Sequence, residues 1–466
     1  MTVEGLEGIG CRQRLHYGRQ PSRIHVGVDS RVTVLATAAL LGGAGGAALS
    51  KSPLLAAVLV GSVFLAAVVA WFDVLGVAVV LTAALPWLVV TSEALPRLVV
   101  TFVAGATAGA ILLVAAPKSR GTHASVLLRL GMVLFFAPTV ISLGREGLGA
   151  DAIQAAKYVV FPAMVWVVAE ATNTRHVGYL RTVAFWSSVA ALTVNLLLGA
   201  AGVAKTTYYG SGEILGLGSE HGLALLAGCV TAASLASSIS LAWGPVIAVG
   251  AIATVATGVR STLPGLALAA VVRMVSGRVR FRIIALVALA VAGIFASGAA
   301  GVVESRFHKG EKVGEFQSFA NFGSGRGGIY QAAISAWWQS SPIEWIVGTG
   351  LRTIPRIAQQ RLGGAFVGHS DVVEVGVQIG IAGLIGLILM WWVLFARAQS
   401  RLPLLVLASF AVFNGILEYS GPLVIGLMLA TGALSFREHT EASARTEPLI
   451  PRSTASAVAV RSRRSQ

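Results

Sequence analysis

The sequence predicts an all-α, polytopic membrane protein of about 12–14 helices with one long, partly helical external loop. Three observations carry that reading. Charged residues make up only 12% of the 466-residue chain and hydrophobic residues 55%, at a mean hydropathy of +0.78, whereas soluble domains carry roughly 25% charged residues. The apolar residues gather in runs close to the roughly 20 residues that a helix needs to cross a bilayer. The basic residues fall between those runs and sort to one side of them.

The runs lie at 32–50, 54–72, 74–91, 98–116, 124–143, 152–171, 182–201, 221–239, 241–257, 262–275, 283–300, 372–395, 402–419 and 421–436. They group into a membrane portion at 32–300 and a second at 372–436, flanked by an N-terminal tail (1–31) and a C-terminal tail (437–466). With both termini inside, the cytoplasmic loops and tails take Arg12, Arg14, Arg19, Arg23, Arg31, Lys118, Arg120, Arg175, Arg181, Arg273, Arg278, Arg280, Arg282, Arg397, Arg401 and the arginines from Arg437 to Arg464. The external connections, apart from the long loop, take only Lys51, Arg97, Arg145, Lys205 and Arg260. That asymmetry places both termini in the cytoplasm, with an even number of spans in the cytoplasmic (inner) membrane. The polar first 31 residues are too long for a signal peptide, so the first run reads as an uncleaved anchor.

Residues 301–371 form the external loop. Loops of that length are usually functional or disordered. Here Ile329 to Trp338 reads as a short helix that ends before Pro342, with Trp337 and Trp338 suited to a membrane interface. The tail after Phe436, rich in Ser, Arg and Ala, reads as disordered.

Cys11 lies in the polar tail and Cys229 within an apolar run, and no CxxC, HExxH, Walker or dinucleotide pattern occurs. No metal and no cofactor is therefore expected. The net charge of +15 follows membrane orientation rather than nucleic-acid binding.

Several ionisable side chains are candidates for chemistry. Arg260 stands at the outer mouth between two runs, and Arg326 sits between Gly325 and Gly327 at the start of the loop helix. Arginine presents a rigid fork of donors suited to phosphate oxygens. The plainer reading of each is a solvated side chain or one bound to lipid headgroups. His369 precedes the run at 372–395, where it is either a proton-transfer group or an ordinary helix-start residue. Asp371, two residues on, competes with it as the base. Lys157 lies about six residues inside its run, at a depth where a charge is costly. It either contacts substrate or snorkels to the interface. Glu418, near the end of its run, is ambiguous.

The stretch Gly323-Ser324-Gly325-Arg326 to Trp338, then Pro342 and Gly348-Thr349-Gly350, resembles the "SGR…W…P…GxG" portion of the O-antigen ligase and polymerase superfamily. His369-Ser370-Asp371 followed by Gly380-Ile381-Ala382-Gly383 resembles that family's "HNxxLxxLxExGxxG" segment, and Arg260-Ser261 its "SRS" segment. Ser370, Val373 and Gln378 stand where the family has Asn, Leu and Glu. The likeness spans roughly residues 250–395.

The resemblance implies metal-independent glycosyl transfer at the outer face. The donor would be a polyprenyl-diphosphate-linked glycan, and the acceptor a sugar hydroxyl on a glycan or glycolipid. Arg260 and Arg326 would neutralise the departing diphosphate, and His369 would orient or deprotonate the acceptor; Lys157, on its depth alone, is a further candidate for holding the diphosphate. Partners would be membrane lipids and other polysaccharide-assembly proteins. Both ligation and repeat-unit polymerisation fit, with the HSD segment and the span count leaning to polymerisation. A peptidoglycan polymerase of the shape, elongation, division and sporulation type is a second enzymatic reading. A lipid-sugar transferase with an acidic first external loop is disfavoured, because Ser50-Lys51-Ser52-Pro53 has no carboxylate. The non-enzymatic alternative is a lipid-linked oligosaccharide flippase or another transporter, whose signature is broken spans and charges at mid-depth.

Overall fold

A computed structural model describes residues 74–91, 97–115, 123–146, 148–170, 175–201, 219–237, 243–257, 259–276, 322–362 and 370–434. Among these residues every regular element is helical. In chain order they are α1 (Val74–Val90), α2 (Arg97–Ala115), α3 (His123–Glu146), α4 (Leu148–Glu170), α5 (Arg175–Ala200), α6 (Glu220–Ala236), α7 (Gly244–Ala256), a 3₁₀ turn (Arg260–Thr262) and α8 (Leu263–Val275). After the undescribed stretch come α9 (Phe322–Trp338), α10 (Pro342–Val347), α11 (Thr353–Leu362), α12 (Asp371–Arg397), α13 (Leu402–Phe413) and α14 (Ser420–Ala430).

The apolar runs at 32–50, 54–72 and 283–300 lie outside the described residues, as do both tails, and each other run carries a helix. Among the described residues, three helices are long and apolar enough to cross a membrane: Val126–Arg145 within α3, Arg175–Ala200 and Asp371–Arg397.

Apart from the amphipathic α11, the helices are mostly apolar with little sidedness, so each is either enclosed by others or faces an apolar solvent. The short α14 is buried at every position and packs against α1, α2, α4, α5, α6 and α13, which makes it the axis of the bundle. Among the described helices the most extensive packing is between α3 and α12, where Gly131 and Gly386 face each other. A Cβ on Gly386 would come within 2.6 Å of the Gly131 carbonyl oxygen. Small residues at a crossing let backbones approach, which is how helices gain dispersion contact without a hydrophobic drive.

The helix ends gather into two groups. At one end the Arg273 guanidinium donates to the Ser237 carbonyl, the Leu434 N–H donates to Ser237 Oγ, and the Ser400 N–H donates to the Ala430 carbonyl. At the other end the start of α12 meets the α13–α14 link, and the end of α3 meets the chain after α10. Arg273 and Arg401 thus lie at one end, and Asp371 and Ser142 at the other.

Two elements differ from the sequence expectation. The loop helix α9 begins at Phe322, seven residues before Ile329. The run 402–419 is helical only to Phe413, because Asn414-Gly415 forms a turn with Gly415 at φ 70°. Asn-Gly is a turn dipeptide, and glycine adopts that left-handed backbone without the Cβ penalty.

Candidate functional site

The site is built where α12 is broken. Its first half runs from Asp371 to Ile379, and Gly380 then departs from helical geometry at φ 73°, ψ −170°. A residue with those dihedrals cannot complete the helical ladder, which frees carbonyls one turn upstream. The turn after α10 takes them. The N–H of Thr349 donates to the Val377 carbonyl at 2.9 Å, and that of Gly350 donates to the Gln378 carbonyl at 3.2 Å. Thr349 Oγ1 also donates to Val377 at 2.9 Å, and the Leu351 N–H donates to Ser142 Oγ on α3 at 2.9 Å. The approach needs two glycines, because a Cβ on Gly348 would collide with the Gln378 carbonyl and one on Gly380 with the Ile346 carbonyl. Ile329, Ala333, Ile354, Ala358 and Val377 form a small apolar core that ties α9 and α11 to α12. The two glycine-bearing motifs of the sequence, Gly348-Thr349-Gly350 and Gly380-Ile381-Ala382-Gly383, are thus in direct contact.

Beside this break lies a cluster of buried polar side chains. Asp371 opens α12 and is 1% exposed; its two carboxylate oxygens accept the backbone N–H groups of Ile416 at 2.9 Å and Leu417 at 3.3 Å. It therefore fastens the α13–α14 link to α12. Glu418, next in that link, is ion-paired with Lys157 of α4. Tyr158 donates to Gln378 Oε1 at 3.0 Å. Asn414 Nδ2 and His221 Nδ1 hydrogen-bond at 2.9 Å, and the His221 ring lies 5.9 Å from that of Tyr419. Glu374 is 2% exposed and lies within electrostatic reach of Glu418, Lys157 and Asp371. One of its carboxylate oxygens has no hydrogen-bond partner among the described residues.

The sequence-derived candidates fall as follows. Lys157 does not snorkel: its ammonium is buried against Glu418, which also resolves that glutamate's ambiguity. Asp371 joins the same cluster. Arg260 is exposed on the 3₁₀ turn. That turn is held against the C-terminal half of α13, where Ser409 Oγ donates to the Ser261 carbonyl at 2.7 Å. The backbone of Arg326 lies in the first half of α9, while its side chain is outside the described residues. His369 is also outside them, immediately before Ser370.

Glu374, Gln378 and His221 were not among the sequence candidates. Asp371, Glu374 and Gln378 recur at i, i+3 and i+7, which puts three polar side chains on one stripe of an apolar helix, and that spacing was the available signal. His221 carried none, since its partner Asn414 is remote in sequence.

Chemically, the cluster sets three carboxylates against one ammonium in a site shielded from water. The Lys157–Glu418 pair neutralises itself, and both oxygens of Asp371 are occupied by N–H donors. Glu374 is the carboxylate with an acceptor left over. Among the described residues no group of His, Cys, Asp and Glu is placed to hold a metal ion.

Neither a known protein family nor a curated protein matches this chain.

Proposed function

We propose that the chain is a multi-pass protein of the cytoplasmic membrane, with both termini inside, that transfers a glycan from a polyprenyl-diphosphate donor to a sugar hydroxyl at the outer face. The transfer needs no metal and no nucleotide, since the diphosphate leaving group carries the driving force. Repeat-unit polymerisation is the favoured form and ligation onto a lipid carrier its near neighbour.

One observation supports this reading above the others. The Gly348-Thr349-Gly350 turn is seated on the broken α12, so the loop bearing Arg326 and the helix that begins directly after His369 form one body. Two pieces of the family resemblance, Gly348-Thr349-Gly350 and Gly380-Ile381-Ala382-Gly383, belong to adjoining elements, while the turn bearing Arg260-Ser261 packs against α6, α8 and α13. In the proposed mechanism the arginines meet the negative charge that develops on the diphosphate. His369 receives or orients the acceptor proton within hydrogen-bond reach. The buried Lys157–Glu418 and Asp371 contacts hold the scaffold on which that geometry depends.

A second reading has its own support. A helix broken at Gly380 beside a buried ion pair is also what a flippase for a lipid-linked oligosaccharide would use. Purified protein in vesicles with a labelled lipid-diphosphate oligosaccharide separates the two. A new glycosidic bond supports transfer; movement of the intact lipid between leaflets, without bond formation, supports the flippase.

A further inference from the structure

The geometry points to a lipid-contacting, re-entrant element at residues 338–350, in place of the aqueous loop that polarity alone assigned there. The inference rests on the membrane reading of α3 and α12 and not on the transferase reading.

Two helices independently measure the depth. The Thr349 and Gly350 N–H groups bond to Val377 and Gln378, which at 1.5 Å rise per residue lie about 9–10 Å along α12 from Asp371. Leu351 bonds to Ser142, about 6 Å short of the end of α3. Both place the turn below the helix ends, within the length that a bilayer would cover.

The surface chemistry agrees. Trp338 is 68% exposed, Ile343 65% and Ile346 56%, and the Trp338 ring stacks on Trp345 at 5.4 Å. α10 packs against both α3 and α12, and each of those helices carries exposed apolar residues of its own, among them Val140, Ile381 and Ile385. In water such a cluster on a six-residue helix would be an aggregation-prone patch. At a bilayer it has a solvent, with tryptophan suited to the headgroup boundary.

Several donors of the segment find partners within it, as a hydrocarbon setting favours. The Ser341 N–H donates to Glu344 Oε2, the Trp345 N–H to the Ser341 carbonyl and the Gly348 N–H to the Glu344 carbonyl. Trp337 Nε1 donates to the Glu344 carbonyl and Ser340 Oγ to the Trp337 carbonyl. The buried indole N–H of Trp345 has no partner among the described residues.

The test is nitroxide labelling of the full chain in phosphatidylglycerol–phosphatidylethanolamine vesicles, in a Cys11→Ser background with the buried Cys229 retained. Labels at Ile343→Cys and Ile346→Cys are compared with one at Ile381→Cys, using collision with oxygen and with a water-soluble nickel chelate. The expected result is oxygen collision exceeding nickel collision at 343 and 346, as at 381. Nickel exceeding oxygen at 343 and 346 only overturns the inference in favour of an aqueous loop. Low collision with both reagents there overturns it in favour of a covering protein. Nickel exceeding oxygen at 381 as well overturns the membrane reading beneath it.

Discussion

The Lys157 ammonium lies 2.5 Å from a carboxylate oxygen of Glu418, with the two side chains 8% and 5% exposed, and so binds α4 to the link between α13 and α14. Removing one partner of a buried pair leaves an uncompensated charge and costs about 3–5 kcal/mol. Lys157→Met is therefore expected to lower the thermal midpoint of the purified, detergent-solubilised protein substantially. Lys157→Met combined with Glu418→Leu should recover most of that loss, because an apolar pair leaves nothing unsatisfied. A single variant as stable as wild type would remove the pair from the account. If the double variant is stable and still transfers glycan, Lys157 has no part in holding substrate.

Asp371 is expected to act first as a fastener. Hydrogen bonds to a charged group contribute about 1.5–3 kcal/mol each, and Asp371 accepts two from the α13–α14 link. Asp371→Ala should destabilise the protein by an amount on the order of 3 kcal/mol and expose residues 414–419 to limited proteolysis. Asp371→Asn, which keeps one acceptor, should fall between. Unchanged stability and proteolysis with complete loss of transfer would instead make Asp371 the base.

The glycines of the break permit a sharp contrast within one helix. An L-residue held in the left-handed region costs roughly 1–2 kcal/mol, and at Gly348 and Gly380 the added Cβ also strikes backbone. Gly380→Ala and Gly348→Ala should each lower the midpoint and loosen the loop from α12. Gly376→Ala, on the same helix with nothing within 4 Å of its Cβ, should be neutral or stabilising by up to ~1 kcal/mol. Equal tolerance at all three positions would contradict the docking of the turn.

Much of the helical framework was legible in the sequence, because apolar runs of membrane length leave few alternatives. The break at Asn414-Gly415 was missed, because hydropathy averaged over the run 402–419 conceals a two-residue turn. What was not legible depends on contacts between remote segments. Lys157 read as a charge at depth and Glu418 as an ambiguous one near the end of its run, and nothing in either local sequence announces the other. The seat of Gly348-Thr349-Gly350 on Gly380 is likewise a property of two backbones meeting. The motifs marked both places as special without showing that they touch.

The arginine clamp makes a prediction about side-chain shape as well as charge. Arg260 and Arg326 are expected to tolerate Lys poorly, since an ammonium cannot replace a fork of donors. Loss of such a contact to a developing charge costs about 2–4 kcal/mol in transition-state stabilisation. Each Arg→Ala variant should therefore slow transfer by on the order of a hundredfold or more at normal expression. Normal glycan elongation by both variants would refute the clamp.

The most direct test of the central claim is glycosidic-bond formation by the reconstituted chain, with a fluorescent polyprenyl-diphosphate oligosaccharide as donor, no nucleotide, and chelator present throughout. The account predicts elongated or ligated product from the wild type. It predicts none from His369→Ala, which should still bind the donor because the arginines hold the diphosphate. His369→Gln should keep partial activity if the imidazole only orients the acceptor hydroxyl, and none if it removes the proton. Wild-type protein that forms no new bond while moving the labelled lipid across the bilayer, or His369→Ala protein that transfers at the wild-type rate, would contradict the account.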